Sequence, residues 1–147
     1  MSYTKDAFWT DADGLQRIKD NDTYLYGLLD SNDNVIVPCR YSSLIHFDDE
    51  SRLAAVNRGG KWGYINKYGR EVVSCEYNHV SDRFYCGRAE IRHYGSSGFI
   101  NCEGDIVIPC EYDEVSIFWD NMASVKKNGK WGIIDRSGHN LWGLTYD

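Results

Sequence analysis

Four short segments of this chain repeat in register. Trp62-Gly63-Tyr64-Ile65-Asn66 returns as Trp131-Gly132-Ile133-Ile134-Asp135, with looser copies at Tyr26-Gly27-Leu28-Leu29-Asp30 and Ser97-Gly98-Phe99-Ile100-Asn101. Their glycines are spaced 36, 35 and 34 residues apart. Downstream, Asp33, Gly69, Gly104 and Gly138 keep one offset, and Tyr41, Tyr77, Tyr112 and Tyr146 follow them by eight residues each. Upstream, Val56, Ile91 and Val125 each precede their glycine by seven residues. A fixed period of this length means one supersecondary unit copied and stacked, because a single copy cannot bury its own apolar face.

The columns of the repeat predict strands rather than helices. Each Asp/Asn-x-x-Gly segment is a turn: the side chain caps the backbone two residues on, and the glycine takes the positive φ. Asp33 stands in for that glycine in the first copy, and aspartate tolerates the left-handed region better than most residues. Apolar strands flank the turn, as in Tyr64-Ile65 before it and Ile106-Val107-Ile108 after it, so each unit contains a hairpin. A further strand precedes the motif at Leu53–Val56, Ala89–Ile91 and Ala123–Val125, and Gly59-Gly60 and Asn128-Gly129 make the tight turns between them. The first copy has a longer loop there, Asp20 to Thr23. Pro38 and Pro109 share one column, which marks an edge strand or a bulge.

The expected fold is therefore all-β: four units of about 35 residues, each a three-stranded set of antiparallel hairpins, in a propeller-like ring or a short stacked array. One domain spans 1–147, with units at about 15–50, 51–87, 88–121 and 122–147 and a closing or capping segment at 1–14. Tyr3 followed by Phe8 and Trp9 resembles Tyr112 followed by Phe118 and Trp119. The N-terminal segment is thus expected to supply what the last copy lacks after Tyr146, and the Tyr3–Tyr146 separation would measure ring closure.

Composition narrows the partners. The chain of 147 residues carries a net charge of −6 and a pI near 5.1. That charge repels nucleic acid phosphates and attracts a basic protein. No apolar run approaches the ~20 residues of a membrane-spanning helix, and Met1 to Gly14 lacks the apolar stretch of a secretory leader. A cytoplasmic protein, monomeric rather than oligomeric, is expected.

At Lys61-Trp62-Gly63 and Lys130-Trp131-Gly132, with Ile108-Pro109-Cys110-Glu111-Tyr112-Asp113-Glu114-Val115 in register, the chain resembles the WG (KWG) β-repeat family over roughly residues 15–147. The first and third copies lack the tryptophan. The resemblance implies a β-rich, mostly bacterial scaffold with no shared catalytic residues. Short stand-alone members resemble immunity proteins encoded beside antibacterial toxins. The motif residues belong to the scaffold, so no functional residue is carried over from them.

Candidate chemistry is thin. Cys39, Cys75 and Cys110 share one column. Equivalent positions lie about one unit apart, too far for the ~7 Å between Cα atoms that a disulfide allows, so they are expected as small buried residues. Cys86 and Cys102 have no assigned place. The four histidines match no metal or triad spacing. Asp30, Asn32 and Asn34 imitate a calcium loop but have Val35 where glycine is needed. Gly95-Ser96-Ser97-Gly98 lies between strands, not before a helix, and has no lysine where a phosphate loop needs one. No metal, no cofactor and no catalytic constellation is expected; Asp113 and Glu114, the nearest to a carboxylate pair, are adjacent in sequence and diverge.

Deviations from the template carry more information than the template. Asp48-Asp49-Glu50 is an acidic run where other copies have Tyr85-Cys86-Gly87 and Trp119-Asp120-Asn121. Aromatics beside acids suit a protein interface. The expected partner-binding residues are Asp48, Asp49, Glu50, Tyr85, Trp119 and Asp120; the alternative for the acidic run is a solvated loop. Trp142, in the aliphatic column of Val73 and Ile108, is expected in the core. The leading functional reading is a non-catalytic scaffold, an immunity or antitoxin protein that binds a basic, nuclease-type toxin domain encoded nearby. The alternative is a saccharide- or peptide-binding module using exposed aromatics.

Overall fold

A computed structural model describes residues 2–144. It is all-β, with no helix among these residues, and its strands form four antiparallel sheets of four strands each. The first sheet holds β1 (Tyr3–Thr10), β2 (Gln16–Asp20), β3 (Tyr26–Leu29) and β4 (Val35–Tyr41). The second holds β5 (Ser43–Leu44), β6 (Ala54–Arg58), β7 (Lys61–Ile65) and β8 (Glu71–Tyr77). The third holds β9 (His79–Val80), β10 (Ala89–His93), β11 (Ser96–Ile100) and β12 (Ile106–Tyr112), and the fourth holds β13 (Glu114–Val115), β14 (Met122–Lys127), β15 (Lys130–Asp135) and β16 (Asn140–Gly143). Within each sheet the strands lie in chain order, and the sheets do not close into a barrel.

Each sheet has one strand more than the three-stranded unit read from the sequence. The extra strands β5, β9 and β13 are two residues long, too short to show a period. In the first sheet that place is taken by β1, which pairs with β2 through Tyr3–Asp20, Thr4–Lys19 and Lys5–Ile18. The N-terminal segment is thus the leading strand of its own sheet. Tyr146 lies outside the described residues.

The turns follow their side chains. Asp30, Asn66, Asn101 and Asp135 each accept, at Oδ1, the backbone N–H groups two and four residues on. Asp33, Gly69, Gly104 and Gly138 all sit at positive φ. Pro38 and Pro109 lie in β4 and β12, the outer strands of their sheets, beside register shifts, where a missing N–H breaks no ladder bond. The same shifts explain the motif glycine. A methyl on Gly27, Gly63 or Gly98 would fall inside contact distance of the Val37, Val73 or Ile108 carbonyl oxygen. Glycine is thus required by close approach of the neighbouring strand.

The apolar columns pack one sheet on the next. Leu28, Val37 and Tyr41 meet Leu44, Ala54, Val56 and Ile65 of the second sheet. Tyr64, Val73 and Tyr77 meet Val80, Ile91 and Ile100 of the third. Phe99, Ile108 and Tyr112 meet Phe118, Val125 and Ile134 of the fourth. Phe99 and Phe118 pack edge to face at 4.7 Å, and each such buried side chain contributes roughly 1.5–3 kcal/mol. Glu71 adds a polar tie between the first two sheets. It accepts from the Tyr41 hydroxyl at 2.7 Å, the Arg58 guanidinium at 2.9 Å and the Cys75 N–H at 3.0 Å. Burial pushes the Glu71 carboxyl up, but these donors outweigh it and hold the group below its usual range.

Among the described residues no core cluster joins the fourth sheet to the first. Trp142 lies opposite Ile133, in the column that Val37, Val73 and Ile108 hold in the other sheets. Those three are buried by the following sheet; among the described residues no sheet follows Trp142, which is 67% exposed. The core position expected for it is overturned. The five cysteines are free and half-buried rather than fully buried. Cys75 and Cys110 direct Sγ at the Val56 and Ile91 carbonyls, and burial pushes the Cys75 thiol up to about 11.

Candidate partner-binding face

In every sheet one loop joins the leading strand to the second strand, and the repeat makes these loops equivalent. Asp11 N–H donates to Leu15 O at 3.2 Å and Asp48 N–H to Leu53 O at 2.8 Å. In the third and fourth sheets the closure is tighter, with reciprocal bonds between Tyr85 and Arg88 and between Trp119 and Met122. The alignment of Asp48-Asp49-Glu50 with Tyr85-Cys86-Gly87 and Trp119-Asp120-Asn121 is borne out.

Two different chemistries close them. Cys86 and Gly87, and likewise Asp120 and Asn121, are both at positive φ, which closes a two-residue hairpin without side-chain help. The longer loops depend on aspartate. Asp11 Oδ1 accepts from the Asp13 and Leu15 N–H groups. Asp48 Oδ2 accepts from Glu50 and Ser51, and its Oδ1 accepts from Phe84 N–H at 3.1 Å in the next loop. Glu50 accepts from Gly87 N–H in that same loop. Asp48 and Glu50 therefore bind backbone. Asp49 is exposed and has no hydrogen bond or ion pair among the described residues.

The hairpin turns reach back to these loops. Lys67, second in its turn, pairs with Asp11 at 3.1 Å and with Asp13. Burial pushes the Lys67 ammonium down, and the two carboxylates more than offset it. The Lys67 contact holds the Asp13 carboxyl below its usual range. Arg136, the equivalent residue of the fourth sheet, donates to Cys86 O at 2.7 Å, and Arg88 donates to Arg136 O at 2.9 Å. The equivalent residue of the third sheet is Cys102, whose thiol burial raises, with the Glu50, Glu103 and Asp48 charges adding to the shift. Lys67 and Arg136 thus neutralise or clamp the preceding loop, and Cys102 does neither.

A cleft of about 620 Å³ opens where the first three loops meet, lined by residues 10–12, 45–50 and 82–85. Its lining holds five carboxylates, on Asp11, Asp48, Asp49, Glu50 and Asp82, against the single guanidinium of Arg83. Four of the six partner-binding residues expected from the sequence, Asp48, Asp49, Glu50 and Tyr85, share it. Trp119, 75% exposed, and Asp120 occupy the loop of the fourth sheet and do not line it. Sequence reasoning missed Asp11 and Asp82. Asp11 lies 37 residues before Asp48, so extending the repeat alignment into the first residues identifies it. Beneath the cleft the buried Trp9 stacks on His46 at 5.1 Å and packs edge-on against Phe47. Among the described residues no three His, Cys, Asp or Glu side chains are gathered to hold a metal.

Stacked four-stranded units with a charged loop edge define a β-repeat protein whose motif residues build the frame. The chain matches the model of the WG containing repeat over residues 26–62, 62–95 and 98–131, and it belongs to that family. No curated protein matches it.

Proposed function

We propose that this protein is a non-catalytic scaffold that captures a basic protein at the cleft between its first three loops. The observation that carries the reading is the convergence of five carboxylates and one arginine on a single recess; Asp11 is paired with Lys67, which leaves Asp48, Asp49, Glu50 and Asp82 to set its charge, with Asp49 unpaired among the described residues and the partly exposed Tyr85 at its wall. Pre-bonded Asp48 and Glu50 hold the recess open without reorganisation, which reduces the cost of binding. A carboxylate field of this kind raises the association rate of a cationic partner, and Tyr85 supplies apolar area at low entropic cost.

The specific form of the proposal is an immunity protein. Its partner is a nuclease-type toxin domain, whose substrate groove must be basic to hold phosphates and is blocked when the acidic edge occupies it. Co-expression with the product of the adjacent gene tests this. The expected result is a co-purifying complex and loss of toxicity; absence of both a complex and protection would overturn the immunity reading. Asp49→Lys should slow association at low salt by roughly three- to tenfold. An unchanged rate removes the cleft from the interface. Binding of a glycan in place of any protein, abolished by Trp119→Ala, would favour a saccharide-binding module instead.

A further inference from the structure

In the second, third and fourth sheets the second place of the hairpin turn faces the loop of the sheet before. The repeat fills that place with a cation twice and with a short side chain once. Lys67 serves the first loop: its ammonium reaches Asp11 at 3.1 Å and Asp13, and lies 5.5 Å from the Phe47 ring centre. Arg136 serves the third loop, donating to Cys86 O at 2.7 Å. It lies so close to Gly87 that a methyl there would strike its guanidinium. Cys102 stands at the equivalent place for the second loop. Asp48 and Glu50 lie 37 residues after Asp11 and Asp13, so the two positions that grip Lys67 are carboxylates here as well.

The short Cys102 leaves room beside that loop. With Leu15, Leu53 and Val72 it lines a groove of about 880 Å³, bounded by the same two loops as the acidic cleft. Such apolar walls suit the methylene stem of a long basic side chain, whose head stays polar. Acceptors for the head are in place. Glu50 uses Oε1 for Gly87 N–H, and its Oε2 has no partner among the described residues. The exposed Glu103 carboxylate, also in the groove lining, has none there either. Burial raises the Cys102 thiol first, and the charges of Glu50, Glu103 and Asp48 raise it further, so three carboxylates act on this place. Arg88 opposes them, but it already donates to Gly87 O and Arg136 O. Arg52 and Lys67 line the groove nearer the first loop, where both act on Asp13.

We infer that the place beside Cys102 receives a lysine or arginine side chain of the partner, which makes between molecules the contact that Lys67 makes within this one. The inference rests on the basic partner of the proposed function and names the element of that partner that is recognised. The incoming head reaches Glu50 and Glu103, and its stem lies along the groove wall. Charge-assisted hydrogen bonds in such a recess are stronger than those of an exposed ion pair, so one basic residue fixes the register of the partner on the acidic edge. The chain itself shows the fit, since the Lys67 side chain, held by the equivalent carboxylates, is only 17% exposed.

Hexalysine is the probe, titrated calorimetrically into the full chain at low salt. The parent should bind it with a dissociation constant in roughly the 10 μM to 1 mM range. Cys102→Lys fills the place from within and should weaken binding roughly five- to tenfold. Glu103→Gln, on an exposed residue, should weaken it by roughly threefold and carries the test if Cys102→Lys does not fold. Cys102→Ser keeps the place open and should bind as the parent does. Asp22→Asn changes the net charge as much as Cys102→Lys does, in the β2–β3 turn at the opposite end of the strands, and should leave the affinity within about twofold. A parent that does not bind overturns the inference. So does parent-like binding by both Cys102→Lys and Glu103→Gln, or an equal loss in Asp22→Asn, which would reduce the effect to net charge. Binding that Asp49→Lys removes and the two groove variants do not would overturn it while keeping the acidic cleft as the site. Equal binding of fully acetylated hexalysine would give the groove to an uncharged segment and likewise overturn it. The basic-partner reading is decided separately, by the product of the adjacent gene.

Discussion

The first two sheets carry the same kind of acidic loop, yet their charges have different fates. Asp11 and Asp13 meet Lys67, which reaches back from the following sheet. Asp48, Asp49 and Glu50 meet Cys102, where the other loop has a lysine, at the equivalent turn position, and their cleft holds the single guanidinium of Arg83. One loop is partly neutralised inside the molecule, and the other keeps more of its charge outward. The single residue in the second place of the next turn decides between them. A binding edge is made in this way by omitting a partner from an otherwise regular pattern.

The largest effect should separate Asp48 from its neighbour. Asp48→Ala strips acceptors from three backbone N–H groups and should cost about 2 kcal/mol. Asp49→Ala should change stability by less than about 0.5 kcal/mol. Urea unfolding midpoints compare the two, and equal losses would break the distinction between a loop-holding and a partner-facing carboxylate.

Lys67→Met tests the partly neutralised loop. It leaves Asp11 and Asp13 without their cation and should lower stability by about 1 kcal/mol, seen as a drop in Tm. The loss should also depend on pH. The Asp13 carboxyl is held below its usual range by Lys67, so its contribution is present above about pH 4, the ordinary aspartate value, and fades as pH falls through the lowered one. Lys67 is raised, so its contribution persists below the ordinary lysine value of about 10.4 and is lost above it. Parent and Lys67→Met stabilities should therefore converge at low pH. A difference that persists unchanged at pH 2 would remove the ion pairs as its cause.

The smallest stability effect belongs to the exchange that would make the two loops alike. Cys102→Lys puts a cation beside Asp48 and Glu50, and should stabilise by no more than a few tenths of a kcal/mol. Its functional effect should be larger, slowing association with a basic partner at low salt by roughly threefold. Stopped-flow mixing measures it. An unaltered rate would show that the vacant turn position does not set the charge of the edge.

Much of the fold was legible because the repeat constrains each position four times over. The Asp/Asn-x-x-Gly turns, the hairpins, the edge prolines and the shared cysteine column all follow from local chemistry that neighbouring units do not alter. The leading strands β5, β9 and β13 were not legible, since two residues carry no alternation. Trp142 was misread for a different reason. Its column gives the face it points to, and burial of that face depends on whether another sheet follows. Of the candidate site, the loops and their alignment were readable, and four of the six residues share the cleft. Trp119 and Asp120 do not, because equivalent loops of stacked sheets lie apart unless a recess joins them.

By itself the sequence determined the repeat, the strand character, the turn residues and the acidic surplus, since these depend on neighbours close along the chain. Only the tertiary structure decided which carboxylates bind backbone, that Lys67 partly neutralises one loop while Cys102 brings no cation to the next, and that the last tryptophan column lies open. The deciding contacts, Asp48 to Phe84, Glu50 to Gly87 and Lys67 to Asp11, join units more than thirty residues apart, and a periodic sequence looks the same whether or not the next unit is present to make them.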